Sequence, residues 1–282
     1  MSTNESSDKR RTQTKPTPPP VADWLQNGFH RFLRPMLRRA FHSIALERQS
    51  RQHTSVDPSA ALIVYANHPS WWDPLIAHFL NRTLFNKRQF YAPIDSAALE
   101  QYRVFAKLGF FGVQMQSTSG AAAFLKQSTA ILNASRSALW LTPEGRFADS
   151  RDHSAPLMPG LAHLCTKLHD AVALPMALEY VFWEERLPEC LVKFGEPIAI
   201  GHDSGLSKSD WSQRLTTRLR DTQAELSTLA IARDSAPFEN LLPGKRGGGM
   251  IYDTFRRAKA LATGKRFRAS HGEHFEQSER PE

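Results

Sequence analysis

The chain has 282 residues, 41% hydrophobic and 10% aromatic, enough apolar material for a full core, which excludes wholesale disorder. Its net charge of +8 is uneven: residues 1–55 hold ten Lys/Arg against four Asp/Glu (+6), residues 241–282 nine against five (+4), and residues 56–240 are net −2. Two cysteines, Cys165 and Cys190, with no CxxC spacing, exclude a disulfide framework and give no zinc signal, so a reducing, cytoplasmic compartment is expected.

Residues 1–22 are rich in Ser, Thr, Lys and Pro and read as a disordered arm. They have no apolar stretch after their charges, so no secretory signal is read there. Residues 23–52 read as a basic amphipathic helical segment. Leu25, Phe29, Phe32, Leu33, Met36, Leu37, Ala40 and Ile44 share one broad face, Arg31, Arg34 and Arg38 lie opposite, and Pro35 is expected to kink or split the helix. Such a helix fits two uses, lying in a membrane interface or docking on the core with its arginines in water.

Residues 53–240 alternate short apolar runs with helical patterns. Strands are expected at 61–65, 90–92, 110–113, 138–141, 171–181 and 190–194, and helices at 73–80, 96–107, 119–136, 158–169 and 208–232. The alternation predicts an α/β fold, a central sheet covered by helices. The longest stretch free of Lys, Arg, Asp and Glu, residues 108–125, carries Gln114, Gln116, Ser117, Thr118 and Ser119 and does not read as a membrane span. Residues 241–282 read as a basic C-terminal helix, near 250–262, and a polar tail. The glycine run there lacks the GK[ST] ending of a phosphate loop and reads as a flexible joint.

Two segments carry most of the chemistry. In Tyr65-Ala66-Asn67-His68-Pro69-Ser70-Trp71-Trp72-Asp73 a buried strand ends, a histidine follows, and an aspartate stands five residues on at a helix start. A carboxylate on one imidazole nitrogen leaves the other free to accept a proton, the arrangement of a general base. Taken alone, so short and frequent a spacing reads first as a histidine serving a turn and an aspartate capping a helix. In Leu139-Trp140-Leu141-Thr142-Pro143-Glu144-Gly145-Arg146 another strand ends in a polar turn, with Arg146 suited to bidentate contact with a phosphate or carboxylate. Other candidates are thinner. There is no HExxH, His163 and His169 do not share a helix face, His271 and His274 sit in a polar tail, and Ser70 is not in a GxSxG elbow.

Together the two segments resemble the glycerolipid acyltransferases, the group that includes 1-acylglycerol-3-phosphate O-acyltransferases. Asn67 to Asp73 resembles their NHx4D block and Pro143 to Arg146 their Pro-Glu-Gly block. Gly109-Phe110-Phe111-Gly112-Val113 resembles the block between, and Val172 to Ala177, with Pro175, the apolar block that follows. The resemblance implies a glycerol-3-phosphate acyltransferase-like fold with a central mixed sheet. It implies His68 as general base and Asp73 as its orienting carboxylate, with Glu144, Gly145 and Arg146 at the acceptor. Asn67, Ser70, Trp71, Gly109, Phe111, Pro143 and Pro175 would line the acyl and acceptor cleft. No metal or resident cofactor is implied; acyl-CoA or acyl carrier protein would be the acyl donor. One departure stands out. Where the family's second block commonly continues into an arginine credited with the acceptor phosphate, this chain reads Val113-Gln114-Met115-Gln116-Ser117. A neutral amide does not replace a guanidinium on a phosphate.

The expected activity is therefore transfer of a fatty acyl group from a thioester to a hydroxyl of a lysophospholipid, with a non-phosphate membrane alcohol such as a glycosylated terpenoid as the alternative acceptor. The expected setting is the cytoplasmic face of a membrane, with peripheral attachment to an anionic surface through residues 23–48 and 245–268. A non-catalytic membrane- or nucleic-acid-binding protein is the competing class. The net −2 core speaks against nucleic acid, because such binders usually carry their basic patch on the folded domain.

Overall fold

The computed structural model describes residues 17–114, 117–201 and 205–244. Seven helices and nine strands alternate through these residues: α1 (Asp23–Ala40), β1 (Ser43–Glu47), β2 (Ala61–Ala66), α2 (Asp73–Leu84), β3 (Gln89–Asp95), α3 (Ser96–Gln101), α4 (Val104–Lys107), β4 (Phe110–Val113), α5 (Thr118–Leu132), β5 (Ser137–Leu141), α6 (Pro159–Cys165), β6 (Asp170–Val181), β7 (Glu189–Phe194), β8 (Ile198–Gly201), α7 (Lys208–Ala232) and β9 (Phe238–Pro243).

The strands form one mixed sheet in the order β4-β3-β5-β2-β6-β7-β1-β9. β2 pairs in parallel with β5 and β6, and β3 with β4 and β5. β8 and β7 pair antiparallel with successive halves of the long β6, β8 with residues 170–173 and β7 with residues 176–181.

Side chains alternate across a strand, so each face of the sheet builds its own core. Leu62 and Val64 of β2, Phe90 of β3 and Trp140 of β5 pack with Leu33, Leu37, Ile76 and Phe79 of α1 and α2. Their neighbours Ile63, Tyr65, Tyr91 and Leu139 pack with Ile131, Leu161, Trp211 and Leu219 of α5, α6 and α7. Burial on both faces explains why β2 and β5 read as unbroken apolar runs rather than alternating ones.

Several expectations need correction. The helical segment expected over 23–52 ends at Ala40. Residues 43–47 are instead β1, a fully buried strand between β7 and β9, and Gln49–Thr54 is a 3-10 turn. Ile44, expected on the apolar helix face, belongs to this strand. With β1 and β9 in it, the sheet reaches beyond residues 53–240 on both sides. Pro35 neither ends nor splits α1; it lies on the exposed side, where water can satisfy the carbonyl it leaves unpaired. The single helix expected at 96–107 is two short ones, α3 and α4.

Part of the expected arm is tied down. Ala22 N–H donates to the Lys107 carbonyl at 3.0 Å, the Tyr91 hydroxyl donates to the Pro19 carbonyl at 3.4 Å, and Val21 packs against the α5–α7 core. Residues 1–16 of that arm and the expected basic C-terminal helix and tail from residue 245 lie outside the described residues.

Gly109 is a backbone crossing point rather than part of a ligand site. Its φ is +100°, and a Cβ there would fall 2.0 Å from the Phe90 carbonyl oxygen. Gly109→Ala is expected to cost at least about 2 kcal/mol in urea unfolding.

Candidate active site

The parallel strands β2, β3, β4 and β5 end on the same side of the sheet, and a cleft of about 940 Å³ opens there. This is where parallel α/β sheets generally place ligands. Its walls are mainly apolar, with Ile94, Val113, Phe124, Leu125, Leu141 and Leu161 among them; His68, Gln114, Thr142, Arg146, His163 and Lys208 are among its polar residues.

His68 leaves the end of β2 and Asp73 opens α2. The turn between them is closed by the Asp73 N–H to the Ser70 carbonyl at 3.1 Å. It brings Asp73 Oδ2 to 2.7 Å from His68 Nδ1. Asp73 is almost fully buried, and every donor it has is accounted for. Oδ2 also accepts from the Ser70 N–H at 3.0 Å, and Oδ1 accepts from the Tyr180 hydroxyl at 2.7 Å. An ionised carboxylate only accepts, so Nδ1 carries the proton and Nε2 is left as the basic nitrogen. His68 lines the cleft; Asp73 lies behind it, in a small adjoining cavity.

Glu144 does not face the cleft. Its side chain is 1% exposed and makes a 2.6 Å ion pair with Arg220 of α7, while its second oxygen accepts the backbone N–H of His68 at 3.2 Å. Arg220 also donates to Gln223 Oε1 at 2.6 Å and to the Ala155 carbonyl, and Gln223 donates to the Ser150 carbonyl at 2.8 Å. Helix α7 thereby holds the strap that follows β5. Along that strap Ala148 N–H donates to the His68 carbonyl at 3.1 Å, and the Phe147 ring lies 4.4 Å from the imidazole, centroid to centroid.

The expected site residues thus divide. His68, Pro143, Gly145 and Arg146 line the cleft, and Asp73 and Ser70 hold the imidazole in place. Arg146 is more than half exposed and makes a 3.9 Å pair with Asp152.

The remainder lie elsewhere. The expectation that Glu144 meets an acceptor is corrected: it braces the His68 backbone. Asn67 is a buried strut whose amide gives and takes hydrogen bonds with the Leu178 backbone at 2.9 and 2.8 Å. Trp71 is 60% exposed and stacks on Trp72 outside the cleft. Phe111 is buried in the α5–α7 core. Pro175 sits in β6 opposite Tyr65, close to Gly195 and away from the cleft. Tyr180, Arg220 and Phe147 went unnoticed in the sequence. Tyr180 and Arg220 stand 107 and 76 positions from the groups they hold, and no local spacing announces such partners. Among the described residues no three His, Cys, Asp or Glu side chains gather as a metal site would.

Removing one partner of a buried ion pair strands the other. Arg220→Met is expected to lose about 3–5 kcal/mol in urea unfolding, and the Glu144→Gln/Arg220→Met double variant less than the sum of its single variants.

Residues 30–179 match the family model described as Acyltransferase. No curated protein matches the chain.

Proposed function

The chain belongs to the acyltransferase family, and we propose that it moves a fatty acyl group from the thioester of acyl-CoA or acyl carrier protein to a hydroxyl of a lysophospholipid. The observation that carries this reading is His68, held by the buried Asp73 and set into the wall of a largely apolar cleft. His68 Nε2 takes the proton of the acceptor hydroxyl as its oxygen bonds to the thioester carbonyl carbon. The tetrahedral adduct then collapses, the C–S bond breaks, and the thiolate takes the proton back from His68. Asp73 stabilises the imidazolium in between. The apolar walls suit an acyl chain, and Arg146 is the guanidinium at hand for an acceptor anion.

A second acceptor class has one observation in its favour. Gln114, in the stretch where the family commonly continues into an arginine, lines the cleft with a neutral amide. A non-phosphate membrane alcohol would meet no unpaired phosphate partner there.

The reading places the protein peripherally on an anionic leaflet, at the cytoplasmic face. Among the described residues no helix is long and apolar enough to cross a membrane. The inner face of α1 is committed to the core through Leu33 and Leu37, so contact with lipid falls to its outer face. There Trp24 is 74% and Phe32 66% exposed, amid the exposed Arg31, Arg34, Arg38 and Arg39. Aromatic rings beside arginines suit an anionic interface.

A labelled acyl-CoA and acyl carrier protein assay against phosphate and non-phosphate acceptors tests the chemistry. His68→Ala is expected to lose at least about 10²-fold in rate, and equal product from both proteins removes the proposed base. In co-sedimentation with phosphatidylglycerol vesicles, Trp24→Ala/Phe32→Ala is expected to weaken binding at least about tenfold.

A further inference from the structure

We propose that Tyr180 is a positioning residue that acts on His68 through Asp73, fixing the carboxylate plane so that Oδ2 alone is presented to the imidazole. The proposal rests on the acyl-transfer reading for its kinetic consequence only; the geometric claim stands separately. Asp73 has two oxygens and three donors. The Ser70 N–H and His68 Nδ1 both meet Oδ2, at 3.0 and 2.7 Å, so they leave the carboxylate free to pivot about that oxygen. The Tyr180 hydroxyl, 2.7 Å from Oδ1, is the contact that stops the pivot.

The phenol is held in turn. Its ring stacks on Phe41 at 5.7 Å, just past the end of α1, and Phe41 meets Trp72 edge-on at 5.1 Å. Burial and the neighbouring Asp73 push the Tyr180 phenol above its ordinary pKa, so it remains a donor. Tyr180 lies outside the family-matched span of residues 30–179, in the second half of β6, where the β7 pairing fixes its register opposite Cys190. Tyr180 is not among the residues that line the cleft; it works at one remove.

Loss of a buried donor that only stabilised the fold would lower stability and leave the imidazole unchanged. Loss of a positioning contact loosens the His68–Asp73 bond itself. The test uses the full chain labelled with ¹⁵N-histidine, following the low-field resonance of the His68 Nδ1 proton, assigned by its loss in Asp73→Asn. In Tyr180→Phe that resonance is expected to broaden into exchange with solvent. In Phe41→Leu, which loosens the same packing but keeps the hydroxyl, it is expected to stay as in the wild type.

With the labelled acyl-transfer assay, Tyr180→Phe should lower kcat about tenfold with KM for both substrates unchanged. A wild-type resonance in Tyr180→Phe, or equal broadening in Phe41→Leu, overturns the proposal. If the resonance responds as expected but neither protein transfers acyl groups, the positioning role stands and the acyl-transfer reading falls.

Discussion

A carboxylate withdrawn from water must find donors, and around His68 that requirement is met twice. Asp73 takes its donors from its own turn, from the imidazole and from β6; Glu144 takes its own from α7 and from the His68 backbone. Each leaves one histidine fixed at a different point, the ring by Asp73 and the main chain by Glu144. Neither carboxylate could be buried there without partners from distant parts of the chain. Strands β2, β5 and β6 and helices α2 and α7 are therefore committed to the placement of a single side chain.

The fold was legible where burial is two-sided and long. Ala61 to Ala66 and Ser137 to Leu141 read as strands because both faces are covered, and the 25 residues of α7 supply many helical periods. It was illegible where elements are short. Ile44 lies four residues after Ala40 and so satisfies a helical period, although the chain has already turned into β1. Ile198–Gly201 and Phe238–Pro243 are strands through their pairing with β6 and β1, which no local pattern reports.

The site divides in the same way. The link from His68 to Asp73 is local, five positions apart, and the sequence carries it. Glu144 shows the limit of a motif: residue type and spacing put it beside His68, and its direction is set by Arg220, far down the chain. Gly109 and Pro175 show another limit, since a glycine or proline in a matching block serves backbone packing as readily as a cleft. Helix α1 shows a third. Its amphipathic pattern allowed either a core or a bilayer as partner; the core took the aliphatic face and left two large aromatic rings outside among the arginines.

The pairing of β9 beside β1 brings two remote parts of the chain to one corner. Gly244 N–H donates to the His42 carbonyl at 2.8 Å, two residues beyond the end of α1. Arg38 and Arg39 occupy the last turn of α1, next to this corner. Loss of the β9 pairing would therefore bare the β1 edge and this corner of α1 together, so the two are expected to open as one unit.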